Sequence, residues 1–320
     1  MNSIIPSIKA NEIFINSKIM RLLTIVITYN AMRWLDQCIG SLLKSTIRSD
    51  IFVIDNGSVD GTQDHIRKTF PEVIFYQSKE NLGFGKANNL GLQYALDNDY
   101  DYVYLLNQDA WVMPETFEIL IKVSKKHPEY GVLSPFQTNA DLHNLDRDFI
   151  KDVLSFTSNP NIINDMYFQH YSDVYPVSVV MAAHWLITKE CITKVGGFSP
   201  SFLHYSEDYN YADRMAYRNI KVGIVPSIQV VHDRGWREDA KSKKIYLSYT
   251  IIIRMMSNPS NNPIKMFYLG LWILFKSIFK YKSLSPIKYA IEIIKKLNCI
   301  LRNRKISIKD DCAFLNYTNK

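Results

Sequence analysis

The order of apolar segments from Leu22 onward constrains this chain more than anything else in it, because short strand-like runs alternate with longer segments of helical spacing. LLTIVITY reads as a buried strand, MRWLDQCIGSLLKS as a helix and IFVIDN as a second strand; TQDHIRKTF follows as a short helix ahead of Pro71, then VIFYQ as a third strand. Such alternation argues for an α/β domain of Rossmann-like order, a parallel or mostly parallel sheet covered by helices. The loop NLGFG then leads into a helix from about Lys86 to Leu96, the apolar strand YVYLLN, and a helix opened by Pro114 that runs to about Lys126. Residues 136–175 are polar and rich in Asn and Asp, and read as an irregular insertion or lid. Strands resume at VYPVSVVMAAHWLIT and KVGIVP, and beyond Asp239 three helical segments are separated by Pro259, Pro263 and Pro286.

At 320 residues and 47% hydrophobic content the chain is long enough for one large domain with an ample core plus an appendage. Charge divides it. Residues 1–240 hold 22 Lys and Arg against 28 Asp and Glu, a net of −6, whereas residues 241–320 hold 16 against 3, a net of +13. The expected organisation is an N-terminal extension (1–20), the α/β domain (21–240) and a basic amphipathic helical tail (241–320). In the tail, Lys and Arg are interleaved with Ile, Leu, Phe, Trp and Tyr, as in KMFYLGLWILFKSIFKYK, which suits an anionic membrane surface better than nucleic acid. Its most apolar run, Met266 to Leu274 extended to Phe279, is interrupted by Lys276 and falls short of the roughly 18 apolar residues of a spanning helix. Lying on a bilayer and docking on the α/β domain both fit such a segment. Residues 1–20 lack the compact apolar stretch and cleavage site of a signal peptide, so the expected location is cytoplasmic, with peripheral attachment to the inner face of the cell membrane. Cys38, Cys191, Cys299 and Cys312 form no close-spaced metal pair, and reduced thiols are expected.

In open α/β sheets, ligands bind beyond the carboxyl ends of the strands. Here those positions are polar: Tyr29-Asn30 after the first strand, Asp55-Asn56-Gly57-Ser58 after the second, Asn107-Gln108-Asp109 after the fourth. Asp55 is placed to accept hydrogen bonds from a base or ribose, or to shape the turn with Gly57 and Asp60-Gly61-Thr62. NLGFG lacks the spacing of a dinucleotide fingerprint, which disfavours NAD. The strand YVYLLN delivers Asp109 to the sheet edge, where a divalent cation with oxygen ligands, Mn²⁺ or Mg²⁺, is accommodated. His232, in VVHDRG, reads either as a second ligand or as a structural histidine. Glu207-Asp208 follows an aromatic loop and opens a helix with Ser206 as N-cap. Acids there answer the helix dipole in any case, but at the lip of a site one of them is available as a base.

In chain order, TIVITYN, VIDNGSVDGT, NLGFGKANNLGL, LLNQDAWV, GGFSPSFLHYSEDYNYADR and VVHDRG, spanning about Leu22 to Gly235, resemble the family 2 glycosyltransferases of bacterial surface-polysaccharide assembly. The resemblance implies the GT-A fold, a nucleotide-sugar-binding sheet with a smaller acceptor-binding part. By position it implies that Asp55 contacts the base and ribose of the donor, with Thr28, Tyr29, Asn30, Gly83, Lys86, Asn107 and Gln108 completing the donor site. Asn107 and Asp109 fall on the family's metal-binding DXD element, Asp109 coordinating the cation and His232 helping to hold metal and diphosphate. Asp208 is the implied base, with Glu207 beside it as support or alternative. Asn107 departs from the pattern: one carboxylate replaces two, so the donor's phosphates have to complete the coordination shell.

The implied reaction is inverting transfer of a sugar from UDP-hexose or dTDP-rhamnose to a hydroxyl of a saccharide acceptor, lipid-linked, in cell-surface polysaccharide synthesis. Phe198, Phe202, Tyr205, Tyr209, Tyr211 and Trp185 either stack on sugar rings or fill the core. A nucleotidyltransferase and a non-catalytic nucleotide-sugar-binding protein are the alternatives. TYNAMRW lacks the basic glycine-rich loop of the first, and the intact Glu207-Asp208 pair argues against the second.

Overall fold

The computed structural model describes residues 20–154, 159–234 and 240–316. The extension expected over residues 1–20, apart from Met20, lies outside the described residues, as does Gly235. Four parallel strands build the first half of the sheet: β1 (Leu22–Thr28), β2 (Asp50–Asp55), β3 (Ile74–Gln77) and β4 (Tyr102–Asn107), in the spatial order β3-β2-β1-β4. Successive side chains of a strand point to opposite faces. Leu23 and Ile25 of β1 enter the core beneath helix α3 (Phe84–Asp97), while Leu22 and Val26 enter the core formed with α1 (Leu35–Leu43), α2 (Thr62–Thr69) and α4 (Thr116–Lys126). Burial on both faces is why LLTIVIT is apolar without alternation.

The second half of the sheet is mixed. β5 (Ala110–Trp111), β6 (Tyr130–Thr138), β7 (Tyr175–Val177), β8 (His184–Thr188) and β9 (Lys221–His232) extend it in the order β4-β8-β6-β9-β5, with β7 also on β9. Only β6 and β9 run parallel there; β8 is antiparallel to β4 and β6. Residues 136–175, expected to be irregular, instead begin with the end of β6, contain α5 (Arg147–Val153) and α6 (Pro160–Phe168), and finish at the start of β7. Asp146 explains the first: its side chain caps α5 by accepting from the Phe149 N–H at 2.9 Å, and the helix buries only Phe149 and Val153, too few residues to show a period in sequence. KVGIVP does not stop at Pro226, because β9 passes it through a register shift opposite Pro135 and Phe136. Bulges are where a sheet tolerates proline.

Helices α7 (Lys189–Val195) and α8 (Glu207–Tyr217) flank the loop that carries GGFSPSFLHYS. The chain then forms α9 (Lys241–Ser257), α10 (Pro263–Tyr281) and α11 (Ser285–Lys309), whose apolar cluster includes Phe202 of that loop. Arg254 of α9 makes two hydrogen bonds to Asp213 of α8, 2.8 and 2.9 Å long, and Ser206 bonds Thr250 at 3.0 Å. Past α11, Cys312 donates to the Thr193 carbonyl and Ala313 accepts from the Gly197 N–H. The glycine before it is required: Gly196 sits at φ +86°, and a Cβ there would strike the backbone of Ala313. The tail thus docks on the α/β core. Among the described residues no helix is long and apolar enough to cross a membrane.

Candidate active site

Chain order reverses direction at β1, which has β2 on one side and β4 on the other, so the crevice beyond its carboxyl end is the ligand position of such a sheet. Asp55 organises the loops around it. One carboxylate oxygen accepts from the Thr28 hydroxyl (3.0 Å) and the Ser58 hydroxyl (2.5 Å); the other accepts from the N–H groups of Gly57 and Ser58 and from Gln63 Nε2 (3.1, 2.9 and 2.7 Å). Asn30, at φ +51°, clips the neighbouring loop by accepting from the Val59 N–H and donating its own N–H to the Ser58 hydroxyl. Asp60 orients Thr62, which in turn accepts from the Ala31 N–H.

Asp55, expected to contact a donor, is committed to these loops. Its side chain is 0% exposed and five bonds occupy its oxygens. Thr28 is buried with it, and Asn30 is committed to the same brace. The residue facing the cleft is the next one, Asn56.

That cleft encloses about 500 Å³, within the usual range for small-molecule sites, and is lined by Tyr29, Asn56, Asn81, Gly83, Phe84, Asn107, Gln108, Asp109, Leu203 and His204 among others. The strand-end loops are tied across it, since Gln108 accepts from the Tyr29 N–H at 2.6 Å and returns a bond to its carbonyl. Gly83 is at φ +78°, and a Cβ there would run into the Leu203 carbonyl oxygen, so this wall closes only around glycine. Lys86 is exposed on α3 and is not part of the lining.

Asp109 opens the turn into β5, and Ala110 pairs with His232 of β9. His232 Nε2 lies 3.5 Å from Asp109 Oδ1, and Nδ1 lies 3.8 Å from Asp146 Oδ2. The ring is 1% exposed, and among the described residues neither nitrogen has a hydrogen-bond partner. Orphaned polar atoms of this kind are costly unless something completes them. Burial pushes the Asp109 carboxyl up, but the His232 ring and then Arg234 outweigh it and hold the group below the usual carboxylate range. His184 is a different case: Tyr104 Oη is 2.9 Å from Nδ1, and Nε2 donates to the Val231 carbonyl at 2.9 Å. Burial drives its pKa down to about 3, so it is a neutral, satisfied histidine. A half-buried carboxylate beside a buried, unpartnered imidazole fits a divalent cation. Among the described residues no third His, Cys, Asp or Glu joins them in a complete ligand cluster.

The two acids of α8 differ. Glu207 is buried, one of its oxygens has no partner, and burial together with Asp208 raises its pKa. Asp208 accepts from the Tyr209 N–H at 2.8 Å and from the Ala182 N–H at 3.4 Å. Burial, opposed by those two bonds and reinforced by Asp152, holds it above the ordinary range as well. Ala183, the next residue, accepts from the Asn107 N–H at 3.1 Å. The Ala182-Ala183 pair thus bridges the Asp208 carboxylate to the end of β4, where Asp109 begins. Ser206 does not cap α8 as expected; it sits at φ +69° and spends its hydroxyl on Thr250.

A sheet of this order and a cleft at its reversal point, with Asp208 linked through Ala182-Ala183 to the end of β4, delimit the choice, and residues 24–170 match the family described as glycosyl transferase family 2. That segment, just under half of the chain, carries the family 2 glycosyltransferase pattern. Across 231 residues the glycosyltransferase is 26% identical to an N-acetylglucosaminyl-diphospho-decaprenol L-rhamnosyltransferase of Mycobacterium tuberculosis, covering 66% of this chain and 75% of the relative. Residues 1–349 of TarS from S. aureus superpose with a TM-score of 0.55 at 14% identity, covering 90% of this chain and 83% of that one. The mannosyltransferase PcManGT from Pyrobaculum calidifontis, solved with GDP-Man and Mn²⁺, gives 0.55 at 16% identity, covering 90% and 84%. These neighbours share the GT-A fold with the enzyme.

Several motif residues of the glycosyltransferase hold structure together. Arg214, buried in ADR, donates to the carbonyls of Val195 and Gly197 at 2.8 and 2.5 Å and so fixes the GGF turn. Trp185, Phe198, Phe202 and Tyr211 are core residues, whereas Tyr205 and Tyr209 are half-buried. Sequence reasoning missed Asn81 and His204 as cleft walls, and Asp146 and Asp152 as the acids beside His232 and Tyr209. Asp152, which accepts from the Tyr209 hydroxyl, lies in the region read as irregular. Only the helix-start pattern at Asp146 signalled either acid.

Proposed function

We propose that the enzyme transfers a hexose or deoxyhexose, with inversion, from a nucleoside-diphosphate donor to a hydroxyl of a lipid-linked saccharide on the cytoplasmic side of a membrane. One observation supports this reading: Ala182-Ala183 links the Asp208 carboxylate to Asn107 at the end of β4, two residues before Asp109. The family supplies the class of reaction, and the rhamnosyltransferase relative makes dTDP-rhamnose the first donor to test beside UDP-hexoses.

In this mechanism Tyr29 and Asn56 receive the nucleoside in the cleft, Gly83 lets the wall approach it, and Asp55 with Thr28 and Asn30 keeps those loops in place. Asn107 and Gln108 face the diphosphate. Asp109 and His232 would hold Mn²⁺ or Mg²⁺, which when bound neutralises charge on the departing diphosphate. Asp208 accepts the acceptor's hydroxyl proton as attack develops. Its raised pKa makes it a stronger base than an ordinary carboxylate while leaving it ionisable. Burial and the neighbouring Asp208 raise the Glu207 pKa, which disfavours two full charges on these adjacent residues.

The test is a panel of UDP- and dTDP-sugars read by thermal shift with and without Mn²⁺, followed by product analysis on a lipid-diphosphate saccharide. A ligand that binds the folded state raises its melting temperature. A Mn²⁺-dependent shift with one donor and an inverted anomeric product support the reading. A retained anomeric configuration, or no shift with any donor, rejects it.

A further inference from the structure

Helix α10 is amphipathic the wrong way round for a helix that only packs on its own domain. Its buried residues are Gly270, Leu274 and Ser277, two of them small. Gly270 seats against α9, where an added Cβ would strike Ile252. The outward stripe is Ile264, Tyr268, Trp272, Phe275 and Phe279, with exposures from 50 to 68%. Spacings of four, four, three and four residues put these five on one face with no charged member. Trp272 stacks on Phe275 at 5.7 Å, and Phe275 meets Phe279 edge-on at 5.2 Å, so the stripe is a continuous surface. At half to two-thirds of the area of such side chains it exposes on the order of 500 Å², the upper end of what an isolated soluble surface carries.

Charge selects the occupant. Lys265, Lys276 and Lys280 flank the stripe and Lys282 follows it, while α10 contains no acid. The stripe continues onto α11 through Leu284, Ile287 and Ile291, all exposed, beside Lys288. Two copies of this face brought together would oppose lysine to lysine. An aromatic stripe edged by cations matches the boundary between acyl chains and anionic headgroups.

We propose that the outward face of α10, continued by the first turns of α11, seats the enzyme on an anionic lipid surface without crossing it. The link to the site is short: α10 packs on α9, and α9 holds α8 through Arg254 to Asp213 and the loop before it through Thr250 to Ser206 and Tyr246 to the His204 carbonyl. This inference adds a surface to the proposed lipid-linked acceptor without resting on it.

The test uses the full chain and vesicles of phosphatidylcholine alone or mixed with phosphatidylglycerol, separated by flotation. Binding is expected on the mixed vesicles and weak on the neutral ones. Trp272→Ser with Phe275→Ser, and separately Lys276→Glu with Lys280→Glu, should each lower the bound fraction by about tenfold or more. Both double variants touch only exposed side chains, so melting temperature and nucleotide binding should stay at wild-type values, and vesicle binding can fail without touching the donor-site reading. Wild-type flotation by either double variant, or no flotation by the parent, overturns the proposal. So does a solution dimer that the Trp272→Ser, Phe275→Ser variant dissociates, because the face would then be a self-interface.

Discussion

Replacing Asp55 by Asn separates a brace from a donor contact. The amide can keep its oxygen toward the three N–H donors of Gly57, Ser58 and Gln63, but each bond drops from charge-assisted, at about 2 kcal/mol, to neutral, at about 1 kcal/mol. The amide nitrogen then faces the Thr28 and Ser58 hydroxyls, both of which donate in the parent. Ser58 Oγ already accepts from the Asn30 N–H, so it has to accept twice and lose a partner for its own hydrogen. Against a loss of about 3 kcal/mol, removing a fully buried charge returns about 1 kcal/mol. The expected cost is about 2 kcal/mol, read as a lower urea midpoint at unchanged slope. Because Asn56 moves with the loop, nucleotide affinity should fall in step, by about tenfold. A variant within about 0.5 kcal/mol of the parent that binds no nucleotide would refute the brace and restore direct contact.

Other substitutions test other parts of the site. Glu207 has a raised pKa, so its favourable contribution is complete below the ordinary carboxylate value and is lost as pH rises through the folded-state value. Glu207→Gln should therefore melt like the parent in acid and increasingly above it as pH rises; a constant offset across pH would contradict this. Gly83→Ala places a side chain at positive φ against the Leu203 carbonyl, for a cost of about 1–3 kcal/mol by calorimetry and a weaker donor complex; parent-like values in both would remove the close approach. His232→Ala should weaken Mn²⁺-dependent nucleotide binding by about tenfold or more in titration calorimetry while metal-free binding persists, whereas equal loss in both conditions would make His232 purely structural.

The parallel half of the fold was legible because β1, β2 and β4 are buried on both faces and separated by helices, which writes an unbroken apolar run for each of them. The second half was not, because β8 and β9 take their direction from long-range pairing, and Pro226 sits at a bulge that sequence reads as a stop. At the site, Asp109 and Asp208 were visible as polar residues placed directly after an apolar strand and at a helix start. The role of Asp55 was not legible, since a turn-forming carboxylate and a ligand-binding one look alike until their partners are known. Asp146 and Asp152 were hidden in short helices with little buried surface. The basic tail showed its charge and its amphipathicity, but whether it docks depended on pairs such as Arg254 with Asp213, forty-one residues apart.

Asp208→Asn assayed for transfer and for nucleotide binding on the same preparation is the most direct test of the account. Transfer should fall by about 10² to 10⁴, the contribution of a positioned general base, while nucleotide affinity stays at the parent value. Near-parental turnover would contradict the assignment of the base. So would a parallel loss of nucleotide affinity, because Asp208 would then hold the donor instead of activating the acceptor.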